Sequence, residues 1–328
     1  VKAIQLSICI ATFNRAGFIL ETLDGIAAQV TDEVEIVIVD GASTDNTEEV
    51  VRKVAARCLQ LRYIRLDKKG GVDQDYCRAV QEARGEYVWL FTDDDILKPG
   101  AVAAVVEATR KRYSLILVNA EVRNADLSVC LQPNRLGFDK DRSYSTSAAD
   151  RDKLFADTGS YLSFIGGVVM RRELWNQRDS AKYFGTLFVH VGVIFQQFLP
   201  GEALAMGNPW IIIRYGNAQW TARSFEIWMF KWPELIWSFP HYSDAAKQRV
   251  EFPEPWRRWS RLLLMRATGH YTLKDYETWL KPRHAPFAAR VIAATPIRLL
   301  NMLGRFVARY IVRKNPSMGL FELESWKG

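Results

Sequence analysis

Trp89-Leu90-Phe91-Thr92-Asp93-Asp94-Asp95 runs an apolar strand straight into three consecutive carboxylates, and Pro99 follows four residues later. Adjacent aspartates repel one another and are costly to bury unpaired, so such a run needs a cation or a donor-rich partner to gather it. At the carboxyl end of a strand in an α/β sheet, where open sheets bind ligands, the natural partner is a divalent metal carrying a phosphate ligand. An acidic start to a helix beginning near Pro99 would also accommodate the charges, since carboxylates favour that end of the dipole. The residues upstream decide between the two.

Leu6-Ser7-Ile8-Cys9-Ile10-Ala11 and Val34-Glu35-Ile36-Val37-Ile38-Val39 read as buried strands, followed by strands over 61–66, 87–91 and 115–118. Between them, stretches 16–28, 45–57, 72–84 and 100–112 carry apolar residues at helical spacing. Strand and helix in this rhythm, with near-continuous apolar strands, give an α/β fold with a mainly parallel sheet covered on both faces. Each of the first four strands ends in polar residues: Thr12-Phe13-Asn14-Arg15, then Asp40-Gly41-Ala42-Ser43-Thr44-Asp45, then Lys68-Lys69-Gly70-Gly71-Val72-Asp73, then the aspartate run. All four should open on one edge of the sheet, the ligand-binding edge. Thr44 or Asp45 as a helix cap and Gly70-Gly71 as a turn account for part of this, but not for Asp40 at a strand terminus. No GxGxxG follows the first strand and no GxxxxGK[ST] occurs, so nucleotide phosphates would have to be held by metal instead.

SICIATFNRAGFILETLDGI, EIVIVDGASTDNT and ARGEYVWLFTDDDILKPGAV, in that order and spacing, closely resemble inverting family 2 glycosyltransferases of the GT-A (Rossmann-like) fold. The resemblance is specific over about residues 5–115 and weaker through Gly167, and is nearest to bacterial surface-polysaccharide enzymes of the abequosyltransferase type, which assemble O-antigen or related glycans. It implies that Thr12, Asn14 and Arg15 line a nucleotide pocket, that Asp40 hydrogen-bonds the base, and that Asp45 supports that loop. It further implies that Asp73 contacts the nucleoside, that Arg84 is a further nucleotide-binding residue, and that Arg84 and Gly85 fit the pattern before the fourth strand. The aspartate run matches the DxD motif that holds Mg²⁺ or Mn²⁺ against the donor diphosphate, with Asp95 the first choice for metal contact, joined by Asp93. Thr92 stands where the family more often has Asp, which leaves open whether Asp93 or Asp94 faces the ribose.

An inverting transfer needs a base near the attacking hydroxyl, poised near the working pH. The family's usual Glu-Asp pair, expected after a Gly-rich acceptor strand such as Phe164-Ile165-Gly166-Gly167-Val168-Val169, is missing. His190 stands at the corresponding place and is the candidate base, since imidazole has a suitable ordinary pKa; Asp157, Glu173 and Asp179 are its rivals. A structural histidine on an apolar helix is the competing reading of His190, and a plain bulge that of Gly166-Gly167.

The net charge of +7 is unevenly spread: from Trp210 onward there are 19 Lys and Arg against 9 Asp and Glu, together with nine of the eleven Trp. Arg290, Arg298, Arg305, Arg309 and Arg313 recur at spacings of 8, 7, 4 and 4 among Val291, Leu299, Met302, Leu303 and Phe306, a basic amphipathic helix expected to kink at Pro296. Such a helix suits an anionic membrane surface with Trp at headgroup level; no nucleic-acid motif accompanies the charge. Four scattered cysteines without a CxxC pair point to a reducing compartment, and residues 1–10 and the lack of ~18 uncharged apolar residues in a row lead us to expect neither a cleaved leader nor a spanning helix. The expected organisation is a GT-A nucleotide-sugar-binding and catalytic domain over 1–215 and a helical, Trp- and Arg-rich extension over 216–328. The expected function is metal-dependent transfer of a sugar from a nucleotide-diphosphate donor to a glycan or lipid-linked oligosaccharide. Its expected place is the cytoplasm, peripheral on the inner face of the membrane. A nucleotide-sugar-binding protein without activity is the alternative, and a nucleotidyltransferase a distant third.

Overall fold

In the computed structural model, which describes residues 3–312 and 318–326, the chain forms two compact units. The first comprises residues 1–122, 133–214 and 241–246; the second 123–132, 215–240 and 247–328.

The strands in chain order are β1 (Leu6–Thr12), β2 (Val34–Asp40), β3 (Leu61–Arg65), β4 (Tyr87–Phe91), β5 (Ile96–Leu97), β6 (Leu115–Leu117), β7 (Ala120–Asn124), β8 (Cys130–Gln132), β9 (Arg142–Tyr144), β10 (Val168–Arg171), β11 (Ala203–Ala205) and β12 (Ile211–Tyr215). Eight of them make one sheet in the order β3-β2-β1-β4-β10-β6-β11-β9. From β3 to β4 every pairing is parallel, and helices α1 (Ile19–Ala27), α2 (Thr47–Ala55) and α3 (Val72–Glu82) make the crossovers. Leu6, Ile8, Ile10, Val37, Val39, Trp89, Leu90 and Phe91 are all fully buried, as strands covered on both faces require.

Beyond β4 antiparallel strands join the mainly parallel sheet, although β11 still runs parallel to β6. β10 enters antiparallel between β4 and β6, with Val168 opposite Leu90 and Arg171 opposite Tyr87, and β9 is antiparallel to β11. The sheet is therefore mixed. Periodicity could not show this, because a four-residue apolar strand reads alike in either direction.

The chain leaves β1 for β2 and β3 on one side and returns to β4 on the other. The crevice beyond the carboxyl ends of β1 and β4 is thus the switch point at which open α/β sheets bind ligands. Thr12 ends β1 there, and the aspartate run follows β4. The amino ends lie one strand length away, about 17 Å for five residues. At that opposite edge buried Glu35 accepts from Ser7 Oγ at 2.7 Å and from the Arg84 N–H at 2.6 Å, and the Gly85 N–H donates to Ser7 Oγ at 2.8 Å. Arg84 and Gly85, which the resemblance groups with the nucleotide-binding residues, accordingly tie the sheet together through their N–H groups at the edge away from the switch point.

The second unit is helical and has its own core, built from Phe225, Met229, Phe230, Trp256, Leu262, Tyr271 and Leu280 with Ala289 and Ala293. Its tryptophans divide: Trp232 and Trp256 are buried, Trp228 and Trp279 pack half-buried against the core, and Trp220 and Trp259 are exposed. Much of the Trp enrichment seen in the sequence therefore serves packing.

A Cβ at Gly85 would sit 2.7 Å from both Ser7 N and Ser7 Oγ. We expect Gly85→Ala to lower the denaturation free energy by about 1–3 kcal/mol through overpacking. Nucleotide affinity of the folded protein should be unchanged, as denaturant titration with calorimetry on the same preparation would show.

Candidate active site

The three aspartates are all drawn inward: Asp93 and Asp94 are each 9% exposed and Asp95 2%. Arg15, arriving from the end of β1, places Nε 3.4 Å from Asp93 Oδ1 and Nη2 3.4 Å from Asp94 Oδ2. Asp95 is held differently. Its Oδ2 accepts from the Thr92 hydroxyl, and its Oδ1 accepts from the Arg214 N–H at 2.7 Å. Arg214 Nε also donates to the Asp94 carbonyl at 2.9 Å, while its guanidinium pairs with Glu21. The antiparallel pairing of β12 with β5, Ile211 opposite Leu97 and Ile212 opposite Ile96, brings Arg214 back to this point. Thr92, which breaks the family's usual pattern, is therefore the hydroxyl that fixes Asp95.

Burial and then repulsion from Asp94 raise the pKa of Asp93, with Arg15 working against them; the same two causes raise Asp95 despite the Thr92 hydrogen bond. The phenol of Tyr76, which donates to the Phe91 carbonyl at 2.9 Å, is pushed up by burial and by all three carboxylates. The local field is thus strongly negative, and a cation is what would relieve it. Among the described residues no three His, Cys, Asp or Glu side chains converge as a metal cage. The donor set instead suits Mg²⁺ or Mn²⁺ held by one or two carboxylates, with phosphate and water oxygens completing the shell. One buried atom nearby, Asp75 Oδ1, also lacks a hydrogen-bond partner, while the Thr12 hydroxyl is directed to Asp93. An orphaned polar atom at a strand-end crevice is what a polar ligand would satisfy.

The loop after β2 is built on β1's terminus. Asn14, at φ 54°, donates its N–H to Ser43 Oγ at 2.9 Å and accepts at Oδ1 from the Thr44 N–H at 2.8 Å. Asp45 accepts from the N–H groups of Ala16 and Thr47 at 3.1 and 3.0 Å and from the Thr47 hydroxyl. Burial raises its pKa, but those hydrogen bonds outweigh it and hold the carboxyl below its ordinary value. Asp45 thus supports the loop. Asp40 is fully buried, with Oδ1 accepting from the Ser43 N–H at 2.7 Å and Oδ2 from the Tyr63 phenol at 2.6 Å. It braces the loop from beneath, with both oxygens already accepting within the protein. The carboxylate with an unsatisfied oxygen here is Asp75, from the first turn of α3. A Cβ on Gly41 would lie 2.8 Å from Asp75 Oδ2, so a larger residue there would displace this carboxylate.

Asp73 is committed as well: it accepts from the N–H groups of Gly185, Leu187 and Val189 at 2.8, 3.0 and 3.2 Å. It organises the entry to the helix Val189–Phe195. His190 lies in the first turn of that helix at 1% exposure. Its Nε2 is 2.7 Å from the Leu162 carbonyl and so carries the proton, leaving Nδ1 buried without a partner. Burial pushes the imidazole down to about 4, so it is neutral and a weak proton acceptor near pH 7. The expectation of an accessible base poised near neutrality does not match this environment. Glu173 follows β10 at its Arg171 end, opposite the start of β4, and so sits at the far edge of the sheet. Gly166 and Gly167 precede β10 at the near edge, where Trp89 Nε1 donates to the Gly166 carbonyl at 2.8 Å. A Cβ on Gly167 would sit 2.7 Å from the Val118 carbonyl oxygen, so packing alone demands that glycine.

Comparison with known proteins fits this arrangement. The sequence profile described as Glycosyl transferase family 2 matches residues 7–173, just over half of the chain. The chain belongs to glycosyl transferase family 2. Abequosyltransferase RfbV of Salmonella typhimurium is 28% identical over 223 residues, covering 65% of this glycosyltransferase and 67% of RfbV. The GalNAc(5)-diNAcBac-PP-undecaprenol beta-1,3-glucosyltransferase of Campylobacter jejuni is 25% identical over 192 residues, covering 57% of this chain and 59% of the relative, less than two thirds of its length. S. aureus TarS 1–349 in complex with UDP-GlcNAc shares the fold at TM-score 0.61 and 16% identity, over 98% of this chain and 91% of TarS. The mannosyltransferase PcManGT of Pyrobaculum calidifontis, solved with GDP-Man and Mn²⁺, gives 0.56 and 17% identity, over 99% and 86%. The fold of this glycosyltransferase is GT-A.

Three participants in the site escaped the sequence reading. Asp75 had a faint signal, a second carboxylate two residues after Asp73 in the same helical turn. Tyr63 was one more polar position on a strand, and Arg214 is 119 residues from Asp95, beyond the reach of any local pattern. Asp75 also gives a measurable effect. Burial, with Asp40 adding and Lys69 opposing, raises its pKa to about 6. The unfolded chain releases this proton near pH 3.9 and the folded protein only near 6, so stability falls as pH rises through that interval. Asp75→Asn should flatten that decline in midpoints measured at pH 4, 5, 6 and 7.

Proposed function

We propose that this glycosyltransferase moves a sugar from a nucleoside-diphosphate donor to a hydroxyl of a bacterial surface glycan, inverting the anomeric centre and using Mg²⁺ or Mn²⁺. The observation that carries the reading is the buried carboxylate run at the switch point, which gathers more negative charge than Arg15 offsets. Domain 1–215 would hold the chemistry and 216–328 the approach to the acceptor. A bound metal would act as a Lewis acid toward the departing diphosphate. Asp93 and Asp94 would hold it, and Asp95, the first choice from the sequence, would stand behind them, since its two oxygens already accept from the Thr92 hydroxyl and the Arg214 N–H. Arg15 would stand at the phosphate end of the donor, and Thr12, Asn14 and Asp75 at the nucleoside end. The names of the relatives support a saccharide acceptor, and the PP-undecaprenol in the Campylobacter enzyme's name supports a lipid-linked one at a membrane surface.

His190 enters this proposal as a positioning residue. Its ring holds the Leu162 carbonyl just before Phe164 and the Gly166-Gly167 approach to β10. The sealed imidazole is also the observation that favours the second reading, a protein that binds nucleotide-sugars without transferring them.

Thermal-shift titration of UDP-, GDP-, CDP- and dTDP-sugars with and without Mn²⁺, followed by product analysis with acceptor glycans, tests both readings. Metal-dependent donor binding with turnover supports transfer; binding without turnover supports the second reading. Asp93→Asn should abolish metal-dependent donor binding, and Thr92→Val should weaken it roughly 10- to 100-fold, as loss of a ligand-orienting group does. His190→Gln, whose amide can still reach Leu162, should keep most of the transfer rate and its pH profile. A rate loss of about 100-fold or more with an unchanged melting temperature would instead restore His190 as the base.

A further inference from the structure

The last helices of the second unit face the wrong way for a water-soluble surface. The helix Phe287–Ala294 turns Ala289 and Ala293 into the core and leaves Phe287 69% and Val291 50% exposed. After a bend of 91° at Thr295-Pro296, the helix Ile297–Ile311 repeats the arrangement. Its inward contacts are made by small or polar groups. Asn301 is 4% exposed and donates from Nδ2 to the carbonyls of Ala267 and Leu323 at 3.0 and 2.7 Å, and Gly304 lies against Leu323. Its outward side carries Met302 at 62%, Phe306 at 56%, Tyr310 at 62% and Ile311 at 67% exposure. Helix Trp259–Ala267, which packs on this one, adds exposed Trp259, Leu263 and Leu264. An amphipathic helix of a soluble fold buries its large apolar side chains; this pair buries the small ones and displays the large. Exposed apolar clusters of this extent mark a binding surface.

The charge around the patch selects the occupant. Arg298 and Arg305 line the same shallow groove as Met302 and Phe306, and neither makes a hydrogen bond or ion pair among the described residues. Arg290 and Arg309 flank them, paired with Glu277 and Glu324; Arg313 lies outside the described residues. Cations beside large apolar side chains match the boundary between anionic headgroups and acyl chains. No single helix among the described residues is long and apolar enough to cross a membrane, and the 91° bend suits helices lying in the plane.

We propose that Phe287–Ala294 and Ile297–Ile311 form a docking surface for an anionic lipid bilayer, with Met302, Phe306, Tyr310 and Ile311 inserted among the acyl chains and Arg298 and Arg305 at the phosphates. This gives the membrane partner of the proposed function a definite contact, and vesicle binding measured without donor or acceptor makes its failure distinct from a failure of sugar transfer.

Flotation of the full chain with phosphatidylcholine vesicles, alone or mixed with phosphatidylglycerol, provides the test. We expect binding to the mixed vesicles that weakens with salt. The double variant Met302→Glu/Phe306→Glu should lower it by at least about 100-fold, tenfold or more for each large side chain withheld. Arg298→Gln/Arg305→Gln should lower it about 20- to 30-fold on anionic vesicles only. All four side chains are solvent-facing or partly so, and the melting temperature and donor-induced thermal shift report that each variant is folded. Should the glutamate pair fail to fold, the glutamine pair still decides. Absence of vesicle binding, equal binding by wild type and both variants, or a dimer in sedimentation equilibrium that Met302→Glu/Phe306→Glu dissociates would overturn the proposal, the last by making a second copy the occupant.

Discussion

Three adjacent carboxylates at the end of a buried strand repel one another, and much of the first unit is arranged around that repulsion. A pair of like charges a few ångströms apart in a partly desolvated site costs several kcal/mol unless cations or donors offset it. Arg15 answers for Asp93 and Asp94, and the Thr92 hydroxyl with the Arg214 N–H answers for Asp95. Arg15 can do so because its own N–H is held by the Thr47 hydroxyl at 2.8 Å and the neighbouring Ala16 N–H by Asp45. Arg214 can do so because β12 runs antiparallel to β5. The loops after β1, β2 and β4 therefore form one network around the carboxylate run.

Much of this was legible in the chain, because parallel strands leave two strong marks: apolar runs buried on both faces, and polar clusters at one end. The four strands β1 to β4, the crossover helices and the convergence of their termini follow from those marks. The weaker readings share one cause. A carboxylate at a strand end looks the same in sequence whether it meets a ligand or a backbone N–H. Asp40 meets Ser43 and Tyr63, and Asp73 meets three N–H groups before the helix Val189–Phe195. Asp75 is in neither position, and its Oδ1 remains unsatisfied. Arg84 shows a related limit: a family pattern marks what a fold needs as well as what a site needs, and Arg84 with Gly85 closes the far edge of the sheet around Ser7 and Glu35.

The second unit teaches a different lesson about amphipathicity. Spacing shows that a helix has an apolar side, but not which side faces the protein. The basic repeat through Arg290, Arg298, Arg305 and Arg309 is compatible with a solvated flank around an ordinary packed helix. The burial of Ala289, Ala293 and Asn301 together with the exposure of Phe287, Met302 and Phe306 settles the orientation, and only three-dimensional contacts could do so. The bend at Pro296, by contrast, could be anticipated from the chain alone, since proline removes a backbone donor and excludes the helical conformation from its predecessor.

The tie between Asp95 and Arg214 spans 119 residues. A contact of such separation closes a long loop, whose entropy must be offset before the contact rewards it. During synthesis the aspartate run therefore leaves the ribosome well before the residue that clasps it. A chain cut short of β12 would keep the apolar strands and the charges but not the clasp, and its aspartates would be free to splay. The site is thus completed late in synthesis, and metal presented to the nascent chain would meet scattered carboxylates before it met a finished pocket.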